Sequence, residues 1–309
     1  MLTVVSWNVN GLRACSKYHA QPWRATLDAL DADVVCLQET KLDARSLAEH
    51  ERKGGRPAAL AVVEGWTSSF SHAASRRGYS GTVVYTRNAT IDAARRVVDT
   101  RDVDGEEGRV VAVDLGPLLL VNVYMVNTGQ GGDRVGYKEA FQARLSAFLL
   151  ARRAEKPVVL VGDLNVCHRL PDSHNWQSKV DEDGHCHSRM EREWMDALID
   201  GDAFVDSFRH VHGADAVAFS WWPNTINGNQ ARKADAGGWR LDYCLVDTAL
   251  AAAVAKADIE PTWYGSDHCP VRLVLDVRLP AVPKDAAGQA KRKPGTLLSF
   301  FAKKKKAKP

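Results

Sequence analysis

The chain has 309 residues, of which 45% are hydrophobic and 26% charged. That is an ordinary globular composition, and it excludes a collagen-like or low-complexity body. Its 41 Lys and Arg against 38 Asp and Glu leave a net charge of +3. The charge is uneven, because nine Lys and Arg and a single Asp fall in residues 280–309, so that tail carries +8 and residues 1–279 carry −5. No apolar stretch approaches the roughly 20 residues of a membrane-spanning helix. The first strand-like run begins at Leu2, which is expected to leave no room for a signal peptide. The six cysteines (Cys15, Cys36, Cys167, Cys186, Cys244 and Cys269) form no CxxC pair. A reducing intracellular compartment is expected, not a disulfide framework.

Short β-branched runs predict strands at residues 3–7, 34–37, 82–86, 110–113, 118–123, 158–161, 243–246 and 271–277, with the near-continuous apolar character of strands buried on both faces. Between them, apolar spacing predicts one helix with Trp23, Leu27 and Leu30 on a stripe. A second helix carries Phe141, Leu145, Phe148 and Leu149 and is closed by Lys156-Pro157. Interleaved strands and helices predict a layered α/β body. The hairpin-like spacing of residues 110–123 predicts some antiparallel pairing. After residue 279, prolines alternate with Lys-rich runs. Residues 1–279 are therefore expected to form one folded domain and 280–309 a disordered basic tail.

The informative residues follow the strands. Trp7 leads to Asn8 and Asn10, Leu37 to Gln38, Glu39 and Lys41, Val123 to Tyr124 and Asn127, and Val161 to Asp163 and Asn165. Leu241-Asp242-Tyr243 opens a strand, and Ser266-Asp267-His268 precedes the last one. Any one of these alone is a cap or turn residue. Six together at strand ends, where layered α/β proteins build their sites, predict a cup rich in carboxylates and amides. Such a cup suits a hard, oxygen-loving cation such as Mg²⁺ or Mn²⁺. With a carboxylate that can handle a water proton and a His near an Asp, it holds the parts for phosphodiester hydrolysis. No Walker-type glycine loop is present, which argues against nucleoside triphosphate hydrolysis.

Six segments carry a family likeness in order: Ser6-Trp7-Asn8-Val9-Asn10-Gly11-Leu12-Arg13, Leu37-Gln38-Glu39-Thr40-Lys41, Arg77-Gly78-Tyr79-Ser80-Gly81, Gly162-Asp163-Leu164-Asn165, Trp239-Arg240-Leu241-Asp242-Tyr243 and Gly265-Ser266-Asp267-His268-Cys269-Pro270. Together they resemble the exonuclease III family of abasic-site (AP) endonucleases, in the endonuclease/exonuclease/phosphatase superfamily. The resemblance implies a four-layered α/β sandwich of two mixed β-sheets flanked by helices. It also implies a Mg²⁺-dependent DNA-repair nuclease (Mn²⁺ able to substitute) that cleaves 5′ to abasic sites, with 3′-phosphodiesterase and 3′→5′ exonuclease activity. The alternatives are an exonuclease-dominant member with weak abasic cleavage and a superfamily phosphodiesterase with another substrate. By resemblance, the catalytic residues are Tyr124, Asp163, Asn165, Asp242 and His268. The metal shell is Glu39, Asn10 and Asp267 with Asp163 and Asn165, Glu39 being the principal ligand. Asn8, Lys41, Arg77 and Asn127 are matched to phosphate and DNA contacts, as are Arg76 and Arg240. Trp221, Trp239 and Leu241 are matched to the apolar pocket for a flipped abasic sugar. The chain departs from the pattern after Tyr124, where Met125-Val126 intervene before Asn127.

His168, His174, His185, Cys186 and His187 cluster in sequence but lack zinc-ligand spacing, and a solvent-exposed loop is expected there. In the tail, Leu297, Phe300 and Phe301 would share one face of a helical turn. They resemble the motif that docks on the DNA sliding clamp, with Pro294 where that motif most often has Gln. With Lys291-Arg292-Lys293 and residues 303–306, the tail implies a nuclear protein if the source is eukaryotic and a cytoplasmic one otherwise. Double-stranded DNA with abasic sites or 3′-blocked ends, and the sliding clamp, are the expected partners of a monomer.

Overall fold

Alternation along the buried strands sends successive side chains to opposite faces of a sheet, and the chain uses both faces. The computed structural model describes residues 1–43, 45, 47, 58–74, 76–92, 96–104, 106–129, 132–179, 186–223 and 237–282. The order is β1 (Leu2–Asn8), α1 (Leu12–Tyr18), α2 (Trp23–Ala29), β2 (Val34–Gln38), β3 (Trp66–Ser71), β4 (Thr82–Arg87), β5 (Val97–Val98), β6 (Val110–Asp114) and β7 (Leu119–Tyr124). It continues with α3 (Val135–Arg153), β8 (Val158–Asp163), α4 (Arg189–Ile199), β9 (Phe204–Asp206), α5 (Ser207–His212), β10 (Asp242–Asp247), β11 (Val254–Ile259) and β12 (Val271–Leu275).

Two six-stranded sheets result, ordered β11-β12-β1-β2-β4-β3 and β5-β6-β7-β8-β10-β9. Both are mixed: β1 pairs β2 in parallel and β7 pairs β8 in parallel, and the remaining pairings are antiparallel. Between the sheets lie Val4, Val34, Cys36 and Val84 from the first and Val111, Leu120, Val159, Val161 and Val246 from the second. Val5, Trp7, Val35 and Leu37 face outward onto Leu12, Trp23, Leu27 and Leu30 of the α1–α2 region. Val121, Val123 and Leu160 face the other way, onto Phe141, Leu145 and Leu149 of α3 and Met195 and Leu198 of α4. The architecture is the expected four-layered sandwich.

Two polar links cross these layers. Gln38 Nε2 donates to Asn122 Oδ1 at 2.7 Å, and Asn122 Nδ2 donates to the carbonyls of Leu37 and Val83 at 3.1 and 2.9 Å, tying the sheets together one residue below Glu39. Helix α4 starts in a capping box, Ser188 with Glu191. Glu191 also ion-pairs with the buried Lys138 of α3, whose Nζ donates to the Asn165 carbonyl at 2.8 Å.

Strands β3, β5, β9 and β11 were not signalled by β-branched runs. The last strand stops at Leu275, two residues short of expectation. The expectation of an exposed loop is overturned at His168, Cys186 and His187, which are 3%, 9% and 0% exposed, and holds at His174, which is exposed, while His185 lies outside the described residues. Apolar and aromatic neighbours (Leu241, Trp176, Trp221 and Trp239) cover Cys186 together with Cys167. All six cysteines are buried with free thiols. No helix among the described residues is long and apolar enough to cross a membrane. Leu297, Phe300 and Phe301 lie outside the described residues.

Candidate active site

Strand polarity gathers the site. The C-terminal ends of β1, β2, β7 and β8 and the N-terminal ends of the antiparallel β10 and β12 all reach the same edge of the sandwich. Register puts Tyr124 beside Asp163 and Asp163 beside Asp242 on the second sheet. On the first sheet, Asn8 stands beside Gln38, and β12 runs antiparallel to β1 just beyond His268. Gly162 permits the close β7–β8 approach: its φ is +140°, and a Cβ there would lie 1.9 Å from the Val123 carbonyl oxygen. Asn10, Glu39, Lys41 and Asn165 all hold positive φ, between 45° and 51°, a conformation that non-glycine residues keep only where surrounding structure enforces it.

The side chains then interlock across the two sheets. Asn8 Nδ2 donates to Asp163 Oδ2 at 2.8 Å and to Glu39 Oε1 at 3.1 Å. Asn165 N donates to Asp163 Oδ1 at 2.9 Å, and Asn127 Nδ2 donates to Asn165 Oδ1 at 3.3 Å. Met125 and Val126 are fully buried, so the departure after Tyr124 anchors the loop and still delivers Asn127. His268 Nδ1 meets Asp242 Oδ2 at 2.7 Å, and Nε2 of the same ring lies 3.8 Å from Asp163 Oδ2. Asn10 Nδ2 donates to Asp267 Oδ1 at 3.0 Å.

The electrostatics follow from this packing. Burial alone would lower the His268 pKa, but the charge and hydrogen bond of Asp242 outweigh it and raise it to about 10. Burial raises Asp163 to about 7, against the opposing pull of the His268 charge. Burial, then the Glu39 carboxylate to which its hydroxyl is hydrogen-bonded, hold the Tyr124 phenol well above its ordinary value. Glu39, Asn10 and Asp267 offer oxygen donors alone. Lys41 places its ammonium 3.0 Å from Glu39 Oε2 while also donating to Asn10 Oδ1, so a positive charge is favoured between those two oxygens. The donor set fits a hard divalent cation. The ligand atoms of Asp163, Asp242 and His268 also lie within 4.8 Å of one another, a grouping that could hold a metal.

Beside His268, Trp221 and Trp239 pack with ring centroids 4.7 Å apart, over Leu241. Trp221 Nε1 donates to Asp267 Oδ2 at 3.2 Å, which fixes this apolar wall to the carboxylate cluster. Its neighbour Trp222 is a core residue. Arg77 is exposed on the loop before β4. Arg240 is not a phosphate contact: it is buried, with Nε 2.6 Å from Asp172 Oδ1 and Nη2 2.6 Å from Asp206 Oδ2.

Three further residues support the site, and of these only Ser266 stands in a motif that the sequence singles out. Ser220 Oγ accepts from the amides of Leu241 and Asp242 at 3.0 Å each. Ser266 Oγ donates to the Asn8 carbonyl at 2.7 Å and accepts from the His268 amide at 3.2 Å. Arg109 lies over the Tyr124 ring at 4.7 Å and donates to the Tyr79 hydroxyl. Each is an ordinary residue type whose role depends on contacts distant in sequence.

A carboxylate and amide cup with a His–Asp pair, at the edge of a four-layered sandwich, defines a hydrolytic nuclease. The family model described as "Endonuclease/Exonuclease/phosphatase family" matches residues 5–268, and the chain belongs to that family. It is 32% identical over 277 residues to an exodeoxyribonuclease of Bacillus subtilis, covering 89% of this chain and all of the relative. It is 31% identical over 277 residues to the DNA repair nuclease APEX1 of Danio rerio, covering 89% and 83% of the two chains. The crystal structure of an AP endonuclease from Leishmania major superposes with a TM-score of 0.77 at 30% identity, covering 90% and 88%.

Proposed function

We propose that this protein is a Mg²⁺-dependent DNA-repair nuclease that hydrolyses the phosphodiester 5′ to abasic sites, with 3′-phosphodiesterase and 3′→5′ exonuclease activity. One arrangement carries the reading: Asp163 sits between Asn8, which ties it to Glu39, and His268, which ties it to Asp242. Asp163 has one oxygen fixed by the Asn165 amide and the other by Asn8, so it can orient a water and accept its proton near neutral pH. His268 donates a hydrogen bond from Nδ1 to Asp242, which holds the ring protonated and turns its Nε2–H toward a non-bridging phosphate oxygen. Asn127 and, once its hydroxyl turns from Glu39, Tyr124 would donate to the phosphate. The Asn8 amide, with both hydrogens held by Asp163 and Glu39, acts at the phosphate by positioning those two carboxylates. Glu39, Asn10 and Asp267 would hold Mg²⁺, with Mn²⁺ as a substitute, and Asp163 and Asn165 border the same cup. An ion held there would supply positive charge to offset the negative charge that develops on the phosphate oxygens.

The Trp221–Trp239–Leu241 wall supports an abasic substrate, since an extruded deoxyribose offers an apolar face and no base. Lys41 and Arg77 suit backbone phosphates flanking it. Leu297, Phe300 and Phe301 support recruitment to a sliding clamp, and the basic residues around them support DNA tethering or nuclear import.

A substrate panel tests the reading. Full-length protein would be offered duplexes carrying one internal abasic-site analogue, a 3′-phosphate at a nick, or a recessed 3′-hydroxyl end. A single nick 5′ to the lesion as the fastest reaction supports the proposal. Rapid end digestion with no internal nick would move the protein to the exonuclease-dominant alternative, and turnover of none of them would point to another phosphodiester.

A further inference from the structure

Outside the nuclease cup, the loop after β8 and the segment leading into α4 bring three metal-binding side chains together. Cys167 N donates to the Cys186 carbonyl at 2.7 Å, and this backbone contact sets the two thiols side by side with Sγ atoms 3.7 Å apart. Cys186 Sγ lies 3.4 Å from His187 Nδ1, and the ligand atoms of all three residues lie within 4.8 Å of one another.

The Sγ–Sγ and Cys186 Sγ–His187 Nδ1 spacings match two edges of a coordination tetrahedron, and Cys167 Sγ lies within 4.8 Å of the same nitrogen. Two thiolates at about 2.3 Å from a zinc ion stand about 3.8 Å apart at the tetrahedral angle, and a thiolate and an imidazole nitrogen about 3.5 Å apart. A disulfide, by contrast, needs the sulfurs at about 2.05 Å.

The groups around the cluster also fit. His187 Nε2, the ring nitrogen turned away from the thiols, lies 2.7 Å from Ser173 Oγ. Ser173 Oγ donates to Asn175 Oδ1 at 3.1 Å, and that oxygen also accepts from Trp239 Nε1 at 2.8 Å. A metal-bound histidine characteristically donates its other N–H in this way, which fixes its tautomer. Trp176 and Trp239 meet the imidazole in T-shaped contacts, with ring centroids at 5.8 and 4.9 Å.

We propose that Cys167, Cys186 and His187 form a second metal site, for a borderline-soft divalent ion of the zinc class, that staples the loop after β8 to the start of α4 beneath the Trp239 wall. Binding converts two thiols to thiolates and releases two protons. His187 binds through Nδ1, and water completes the tetrahedron. The preference is opposite to that of the oxygen cup, so the two sites sort their ions by donor chemistry.

Full-length protein, stripped with EDTA under reducing conditions and desalted, would be titrated with Co²⁺ and then Zn²⁺. The proposal expects one equivalent of Co²⁺ to produce near-ultraviolet thiolate-to-cobalt absorption, abolished by Zn²⁺. Oxygen ligands cannot give that band, so it persists in Glu39→Gln. It disappears in Cys186→Ser, and Ser173→Ala, which keeps all three ligands, weakens binding about 10- to 100-fold. No such band at stoichiometric metal, in a chain whose circular dichroism shows it folded and whose six cysteines titrate as free thiols, would overturn the proposal. So would an undiminished band in a folded Cys167→Ser, Cys186→Ser double variant, or a folded chain lacking two titratable thiols because they have joined as a disulfide.

Discussion

His268 and Asp242 face each other across the junction of the two sheets, Nδ1 to Oδ2 at 2.7 Å, with both side chains buried. Asp242 opens β10 of one sheet, and His268 precedes β12 of the other. The contact therefore forms only when the sandwich is closed.

This pair makes the fold sensitive to base. The folded-state pKa of His268 is about 10 against an ordinary 6.5, so its bound proton contributes stability in full below about pH 6.5, and that contribution is lost as pH rises through about 10. Chemical denaturation across this window should show stability falling in the wild type and a flatter profile in Asp242→Asn. Imidazole NMR should place the His268 titration at much lower pH in that variant.

Arg240 is expected to act on stability and not on DNA affinity. Arg240→Met removes one of the two guanidinium groups that the buried Asp172 and Asp206 share, Arg209 remaining beside both, at a cost of about 1.5–3 kcal/mol. Urea denaturation measures that loss directly. The slope of log affinity for DNA against log salt should stay constant, whereas a lost phosphate contact would reduce it by about 0.9.

Gly162→Ala should damage both fold and site. Its Cβ would collide with the Val123 carbonyl, in a backbone conformation that only glycine adopts easily, for a loss of roughly 3 kcal/mol or more. The collision pushes β8 from β7, so Asp163 moves away from Tyr124 and cleavage should fall even at temperatures where the variant remains folded.

Trp239→Ala should separate the activities. Removing the wall beside His268 is expected to slow incision at an abasic site by roughly tenfold or more while leaving digestion of a recessed 3′ end nearly unchanged. Equal losses on both substrates would mean that Trp239 supports the fold and does not read the lesion.

Much of this was legible in the sequence because the strands that build the site are buried on both faces and announce themselves as apolar runs ending in polar residues. Leu37-Gln38-Glu39 and Val161-Gly162-Asp163 are such cases. Strand β3, with three serines, and β11, with Lys256 and Asp258 on a sheet edge, lack that signature. Strands β5 and β9 span two and three residues, too short for any periodicity to register. Arg240 stands in a motif that suggests DNA contact, and only the fold shows Asp172 and Asp206 closing around it. Cys167 and Cys186 stand 19 residues apart in sequence, and no local spacing rule pairs them.

The central claim is that Glu39, Asp163, Asp242 and His268 form one metal-dependent hydrolytic centre. It is tested most directly by single-turnover cleavage of an abasic-site duplex by the wild type in Mg²⁺ and in EDTA, and by Asp163→Asn in Mg²⁺, with DNA binding measured in parallel. The account predicts a 5′ nick that EDTA abolishes and that Asp163→Asn slows by about 10²- to 10⁴-fold, with DNA affinity retained. Cleavage by Asp163→Asn at the wild-type rate, or cleavage indifferent to EDTA, would contradict it.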